Sequence, residues 1–390
     1  MSSVVLAKSR DARVRFGHPW IYESDISKVD GEYTNGDIVD VYNFNMKFLG
    51  RGYINDNSKI SVRLLSRVKE DIDSDFFARK ISHAVSYRDI VAKMATSRRL
   101  IFGEGDGLPG LIVDQYSDTL VVQVLTLGME LRKDLIVKEL RNVTGCSKIY
   151  ERSDVKTRYL EGLEPTSGFL SEPFETKLVI DENEFKMNVD VVNGQKTGYF
   201  LDQRENRAAI SDYVKGAVVL DCFSHTGSFA VHAVGYGAQK VVAVDVSETA
   251  IEMAKANLEL NYDDCDCDLI VGNVFDILRE FERDSQKYDV VILDPPAFTK
   301  SRSSTESALR GYKDINLRGA RILKEGGYLI TASCSHHVEE NEFVNVVTSA
   351  VADAGRTAKL IEIRSQSKDH PMALGVPESK YLKFLILKVD

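Results

Sequence analysis

Four apolar residues in succession, Val290-Val291-Ile292-Leu293, followed by Asp294-Pro295-Pro296-Ala297-Phe298, limit the folds open to this 390-residue chain. An uninterrupted apolar run of this length marks a strand buried on both faces, as in a parallel sheet. Two prolines end its pairing, so the backbone leaves the sheet just past Asp294. Ligands of open α/β sheets sit at the carboxyl ends of the strands. Asp294 therefore stands where chemistry would occur, with Phe298 nearby as a stacking platform for a planar ring. An ordinary strand-to-loop turn has the same composition, so the neighbouring segments must decide.

A second apolar strand, 217–221, ends on Asp221 and runs into Cys222-Phe223-Ser224-His225-Thr226-Gly227-Ser228-Phe229. A turn of small residues before a helix offers backbone N–H groups to a ligand. Its single glycine fails the G-x-G-x-x-G pattern, which argues against a pyrophosphate cradle and a dehydrogenase. A third strand, 240–245, ends on Asp245, placed to accept hydrogen bonds from ribose hydroxyls. Ser247 caps the helix 247–261, which carries Ile251, Ala254 and Leu258 along one face. A further strand, 269–273, ends on Asn273, able to donate to and accept from an adenine edge. Asp221, Asp245, Asn273 and Asp294 have the spacing of a doubly wound, nucleoside-binding α/β sheet without a phosphate loop.

These motifs resemble the class I S-adenosylmethionine-dependent methyltransferases over roughly residues 190–390. Gly194-Gln195-Lys196-Thr197-Gly198-Tyr199-Phe200-Leu201-Asp202-Gln203-Arg204-Glu205-Asn206-Arg207 is similar to the cofactor-proximal lead-in of a narrower group. That group is the ribosomal RNA large-subunit methyltransferase I family, cytosine-5 RNA methyltransferases with an N-terminal PUA domain. The resemblance implies S-adenosylmethionine as cofactor, with Phe223, Ser224, Thr226 and Gly227 around its methionine portion, Asp245 on the ribose and Asn273 near adenine. It adds Tyr199, Gln203, Arg204, Asp221 and Asp294 to the cofactor-binding set. Many members carry Asp where Asn273 stands, and Tyr is frequent where His225 stands; His225 receives no role.

Cys334 lies in Ala332-Ser333-Cys334-Ser335-His336-His337, after another apolar strand. C5 of a pyrimidine is a poor nucleophile until a thiolate adds to C6, after which C5 can take a methyl group and shed its proton. Cys suits that step because a useful fraction ionises. A buried Cys is more often a small hydrophobe, but a strand's end flanked by serines favours the nucleophile. Asp294 would then hydrogen-bond the cytosine N3/N4 edge. Two alternatives stay open: a guanine N-methyltransferase, which needs no Cys, and a non-catalytic RNA-binding ribosome-assembly factor.

The other cysteines carry less. Five in a chain this long form no disulfide framework, and Cys265-Asp266-Cys267 lacks a second pair at zinc spacing, so no metal is expected. Cys146 and Cys222 read as core residues. His336 and His337 point to different sides and would tune the thiol or touch phosphate.

Length argues for two or three domains at about 100–200 residues each. No apolar stretch reaches the ~18 residues of a membrane helix, and the first residues lack a signal-peptide core, so a reducing cytoplasm is expected and no membrane. The net charge of −9 argues against nucleic acid, but residues 1–70 carry 11 Lys+Arg against 9 Asp+Glu, and the remainder 39 against 50. Lys8, Arg10, Arg13 and Arg15 cluster there, as an RNA-phosphate site or a solvated stretch.

Segments 36–42 and 59–65 alternate with period two, as β-strands do. With Gly17-His18-Pro19-Trp20-Ile21-Tyr22 and Leu49-Gly50-Arg51-Gly52-Tyr53 they resemble the family's PUA domain, which implies RNA binding; Trp20 reads as a core aromatic. A helix over 75–97 carries Phe76, Phe77, Ile81 and Val85, then 98–113 reads as a turn-rich link, with glycines at 103–110, to a strand over 120–125. Glu104-Gly105-Asp106-Gly107-Leu108-Pro109-Gly110 and Tyr150-Glu151-Arg152-Ser153-Asp154 also resemble the family. Arg152, Lys156 and Arg158 are further phosphate candidates. The expected organisation is a PUA-like β domain (1–72), a central α+β domain (73–188) and an α/β methyltransferase domain with a doubly wound, Rossmann-like sheet (189–390). The partner implied is large-subunit ribosomal RNA; a homodimer is left open.

Overall fold

Val290, Val291, Ile292 and Leu293 have no solvent exposure in the computed structural model, which describes residues 2–93, 95–299 and 301–390. They lie in a seven-stranded sheet whose strands are numbered here β1 (Val218–Cys222), β2 (Lys240–Asp245), β3 (Cys267–Val271), β4 (Tyr288–Leu293), β5 (Leu323–Ser333), β6 (Ala358–Arg364) and β7 (Lys383–Val389). The order is β3-β2-β1-β4-β5-β7-β6. The first five neighbours are parallel, and β7 runs antiparallel to both β5 and β6. Helices α1 (Ser228–Gly235), α2 (Glu248–Asn261), α3 (Val274–Arg283), α4 (Thr305–Ile322) and α5 (Glu340–Asp353) connect the strands. Each strand places alternate residues in separate cores, Leu220, Val291 and Leu293 in one, Val219, Val290 and Ile292 in the other. Two-sided burial explains the lack of polar alternation.

Ser247 caps α2 by accepting from the Ala250 N–H, and Ile251, Ala254 and Leu258 are buried beneath it. The strand expected over 269–273 is displaced: β3 ends at Val271, and Asn273 caps α3 instead. The helix expected over 75–97 is Ser74–Val91, with Ser97 starting the strand Ser97–Phe102. The stretch read as a turn-rich link, 98–113, holds most of that strand and the start of Leu111–Tyr116. The glycines between them occupy a short 3-10 turn and its flanks.

The chain divides into two compact units. One comprises 1–180, 189–201 and 368–379, the other 181–188, 202–367 and 380–390. The first holds a six-stranded sheet drawn from residues 3–66 and a five-stranded sheet from 97–169. Tyr53 fastens the two: its hydroxyl meets the Pro109 carbonyl (2.8 Å) and Thr126 (2.9 Å). A Cβ at position 128 would lie 2.1 Å from the Tyr53 ring, so only glycine fits there. Among the described residues no helix is long and apolar enough to cross a membrane.

In the second unit Arg207 grips Glu182 with two hydrogen bonds (2.5 and 2.8 Å), both residues being buried. With that carboxylate already paired, the neighbouring His232 stays neutral. Its Nδ1–H donates to the Ser228 carbonyl (2.7 Å) and its Nε2 accepts from Asn183 (3.2 Å). Burial, aided by Arg207 and opposed by Glu182, pushes its pKa down from 6.5 to about 4. An unfolded chain therefore binds a proton that the folded one refuses, so stability falls as pH drops from 6.5 toward 4. Between pH 7 and 5 the loss should be about 2 kcal/mol from this group. Urea midpoints read by hydrogen exchange of the β1 and β2 amides should show this slope in the wild type and a much flatter one in His232→Gln.

Candidate functional site

Strand order reverses between β1 and β4, and the crevice beside the carboxyl ends at such a point is where α/β sheets bind ligands. Five strand ends bring polar groups to that edge: Asp221 on β1, Asp245 on β2, Asn273 after β3, Asp294 after β4 and Cys334 after β5.

The turn after β1 is held by Phe223, His225 and Gly227, all at positive φ (61°, 49° and 73°). The Ser224 N–H bonds the Val244 carbonyl (3.0 Å), fastening the turn to β2. Gly227 is required twice over, by its φ and because a Cβ would lie 2.7 Å from the Ala254 Cβ. Around this turn the polar groups are starved of partners. Asp221 is fully buried, and neither carboxylate oxygen has a well-formed hydrogen bond. Burial and the charges of Asp294 and Asp245 push its pKa well above the usual carboxylate range, with the Ala230 N–H only partly countering. Ser224 Oγ and Thr226 Oγ1 are likewise buried without a hydrogen bond. Orphaned groups of this kind are costly unless a ligand meets them. Carboxylate and hydroxyls at the start of a helix fit the ammonium and carboxylate of an amino-acid moiety.

Asp245 holds the turn from the other side: its Oδ2 accepts from the His225 N–H and its Oδ1 from the Ser247 N–H, each at 2.9 Å. Asn273 is exposed, and its carbonyl oxygen accepts from the Phe275 N–H (2.9 Å). Asp294 Oδ1 accepts from Gln203 Nε2 (3.0 Å), whose own oxygen accepts from Asn206 (2.7 Å). Arg204 is buried, 3.9 Å from Glu205. Tyr199 is buried in the segment 189–201 of the other unit.

Cys334 is half-buried, its Sγ 3.9 Å from the carbonyl of Pro295, the residue after Asp294. The thiol and the Asp-Pro-Pro turn thus share one side of the edge. Phe298 is not a free platform, for its ring is wedged among Tyr312 (4.7 Å), Phe275 (5.8 Å) and Phe223 (6.3 Å) and forms part of the wall. His336 lies against the Tyr381 ring (5.3 Å). Sequence reading missed Lys383. It opens β7 directly opposite Ser333, is buried, and donates to the Ser335 (2.7 Å) and Tyr381 (2.8 Å) carbonyls. Nothing local distinguishes it from a solvent-facing lysine; only the pairing of β5 with β7 brings it beside Cys334.

Lys8, Arg10 and Arg15 are exposed, Arg10 at 3.9 Å from Asp25 and Arg15 at 3.6 Å from Asp11. Arg13 is engaged internally, bonded to His18 (2.6 Å) and Glu378 (2.5 Å) and lying over the Trp20 and Tyr22 rings. Trp20 donates its indole N–H to Glu104 (2.8 Å). Arg152 and Arg158 are buried on backbone carbonyls, Arg152 on Val191 and Gly194 and Arg158 on Val124 and Glu164, which corrects their reading as phosphate contacts. Lys156 is exposed. Among the described residues no group of three or more His, Cys, Asp or Glu could hold a metal ion.

A sheet of this order, with acids ending three strands around a single-glycine turn, defines a class I S-adenosylmethionine-dependent methyltransferase. The family described by that cofactor and activity matches residues 150–368, and a PUA-like domain matches residues 4–67. Two solved structures share the fold over the whole of both chains at 24% identity. One, from Streptococcus mutans, is a candidate SAM-dependent methyltransferase (TM-score 0.84); the other is a candidate methyltransferase complexed with SAH (0.86). Ribosomal RNA large subunit methyltransferase I of Aeromonas salmonicida is 42% identical over 390 residues, covering 99% of this chain and 98% of that protein. Its counterpart in Aliivibrio fischeri is 43% identical over 393 residues, covering 99% of each. The chain belongs to the ribosomal RNA large subunit methyltransferase I family.

Proposed function

We propose that this protein methylates C5 of a cytosine in large-subunit ribosomal RNA in the cytoplasm, with Cys334 as nucleophile and Asp294 on the base. The observation that carries the reading is the juxtaposition of Cys334 Sγ with the Pro295 carbonyl (3.9 Å), one residue past Asp294. S-adenosylmethionine, when bound, supplies the electrophilic methyl carbon. Asp221, Ser224, Thr226 and the Phe223–Gly227 turn would hold its amino-acid end, Asp245 its ribose and Asn273 its adenine; the unsatisfied oxygens of Asp221, Ser224 and Thr226 support that assignment. Gln203 would set the Asp294 carboxylate through its 3.0 Å hydrogen bond.

The protein's part in the chemistry then follows. The Cys334 thiolate forms a bond to C6, and the C5=C6 pair becomes available at C5 for the methyl group. Asp294 holds the N3/N4 edge as charge builds on the ring. A base takes the C5 proton, that C–H pair restores the double bond, and the S–C6 pair returns to sulfur. Reaching a base in structured RNA requires it to be unstacked, and the packed Phe298 ring would be a fixed wall for it. Residues 1–72 would capture RNA, 73–188 connect, and 189–390 catalyse. Arg13 being engaged, the phosphate contacts assigned here are Lys8, Arg10 and Arg15.

Three results test this. Asp245→Ala should weaken S-adenosylmethionine binding by about 1–3 kcal/mol, because a ligand hydroxyl and two loop N–H groups lose their acceptor; unchanged affinity by calorimetry removes Asp245 from the site. Removing the charges of Lys8, Arg10 and Arg15 together should flatten the salt dependence of RNA binding, since fewer counterions are released; an unaltered slope moves the RNA surface elsewhere. Cys334→Ala should bind cofactor normally yet lose several orders of magnitude in methyl transfer, and the wild type should form a covalent complex with 5-fluorocytosine RNA. Full activity in Cys334→Ala without trapped complex would transfer the reading to a guanine nitrogen, whose lone pair needs no thiol.

A further inference from the structure

Lys383 is a buried cation for which the chemistry above has no use. Its side chain opens β7, 4% exposed, where its Cα pairs with Ser333. Its two acceptors are neutral: the Ser335 carbonyl at 2.7 Å and the Tyr381 carbonyl at 2.8 Å. An ammonium has three donors, and among the described residues no carboxylate stands within ion-pair distance of this one. Buried charges are ordinarily paired or neutralised. The first of these carbonyls belongs to Ser335, the residue directly after Cys334.

We propose that Lys383 is the electrostatic counter-ion of the Cys334 thiolate, an ammonium held in place by the Ser335 and Tyr381 carbonyls that both anchors the cysteine's loop and favours the ionised sulfur. It is a positioning residue, acting through Cys334 without touching the base, and the inference rests on Cys334 being the nucleophile. When the thiol ionises, its proton leaves to water and the S–H pair stays on sulfur. Lys383 keeps its proton throughout. Burial lowers the Lys383 pKa from 10.5 to about 8, and the charge of Cys334 acts to raise it again. The ammonium is thus present at neutral pH and begins to be lost as pH rises through 8. Of the other groups facing it, Lys380 opposes its charge, while Glu340 and Glu342 favour it. Around the loop, the Tyr312 hydroxyl bonds Ser335 Oγ (2.9 Å), Tyr381 bonds Asp202 (2.5 Å) and His336 packs on Tyr381. Those groups fix the loop's shape, and Lys383 is the cation inside it.

The test reads the thiol directly, without RNA or methyl transfer. Iodoacetamide labelling of Cys334 in the full chain, followed on its own peptide by mass spectrometry, gives the pH at which the sulfur ionises. The wild-type midpoint should lie below the ~8.5 of a free cysteine. In Lys383→Met it should rise by about one pH unit or more, with labelling at pH 7 slowed about tenfold. Methyl-transfer kcat should fall by a similar factor at unchanged KM, its pH profile displaced to alkaline pH, and Lys383→Arg should recover much of both. A Lys383→Met protein that binds S-adenosylmethionine normally and labels with the wild-type profile overturns the proposal. If that variant does not fold, the wild-type midpoint decides: a value at or above 8.5 overturns it, and a value below supports it. Failure of the nucleophile reading looks different, because Cys334→Ala would remain active whatever the labelling profile.

Discussion

Strands β1 and β4 lie in the interior of their sheet with helices on both sides, and Val219, Leu220 and the whole of 290–293 are sealed from solvent. A polar side chain within such a strand would be buried without partners, at a cost of about 1–3 kcal/mol. Polar chemistry is thereby driven to the strand ends, and a parallel arrangement puts those ends on one edge. Asp245, Asn273, Asp294 and Cys334 occupy it for this reason. Asp221 is the exception: it lies within β1 itself and is fully enclosed, with no well-formed hydrogen bond to either oxygen.

This is also why so much of the C-terminal half is legible in the sequence alone. Apolar runs that stop on an acid, and a serine at the right offset to cap a helix, are local patterns with local causes, and β1, β2, β4 and α2 carry them plainly. Asn273 shows the limit. Its type fits an adenine contact or a helix cap equally well, and the structure uses it as a cap on α3, which ends the strand two residues sooner than expected. The stretch 98–113 reads as a link because its glycines dominate it, whereas Leu100, Leu111 and Val113 belong to a buried core.

Basic residues were the least legible, because an arginine's role depends on what lies beyond the reach of its neighbours in sequence. Arg152 and Arg158 look like phosphate contacts in the linear chain, yet each spends its guanidinium on carbonyls from distant segments. Arg88 and Arg99 are buried against Asp106 and Asp114. Arg13 meets a carboxylate 365 residues away. Lys383 is the converse: an unremarkable lysine in sequence that strand pairing carries next to the candidate nucleophile.

The segment 368–379 has a consequence for how the molecule comes into being. It belongs to the unit built mainly from the first 180 residues, and the chain passes between the two units five times. Deep in that unit, the Arg88 guanidinium donates to the Asp369 backbone carbonyl (2.8 Å) and the Arg99 backbone N–H to the Asp369 carboxylate (3.0 Å). During synthesis on the ribosome these early residues emerge long before their partner exists. The amino-terminal unit therefore cannot finish folding as it is made, even though most of its residues come first. It must wait, with a buried arginine short of one acceptor, until Asp369 has been made.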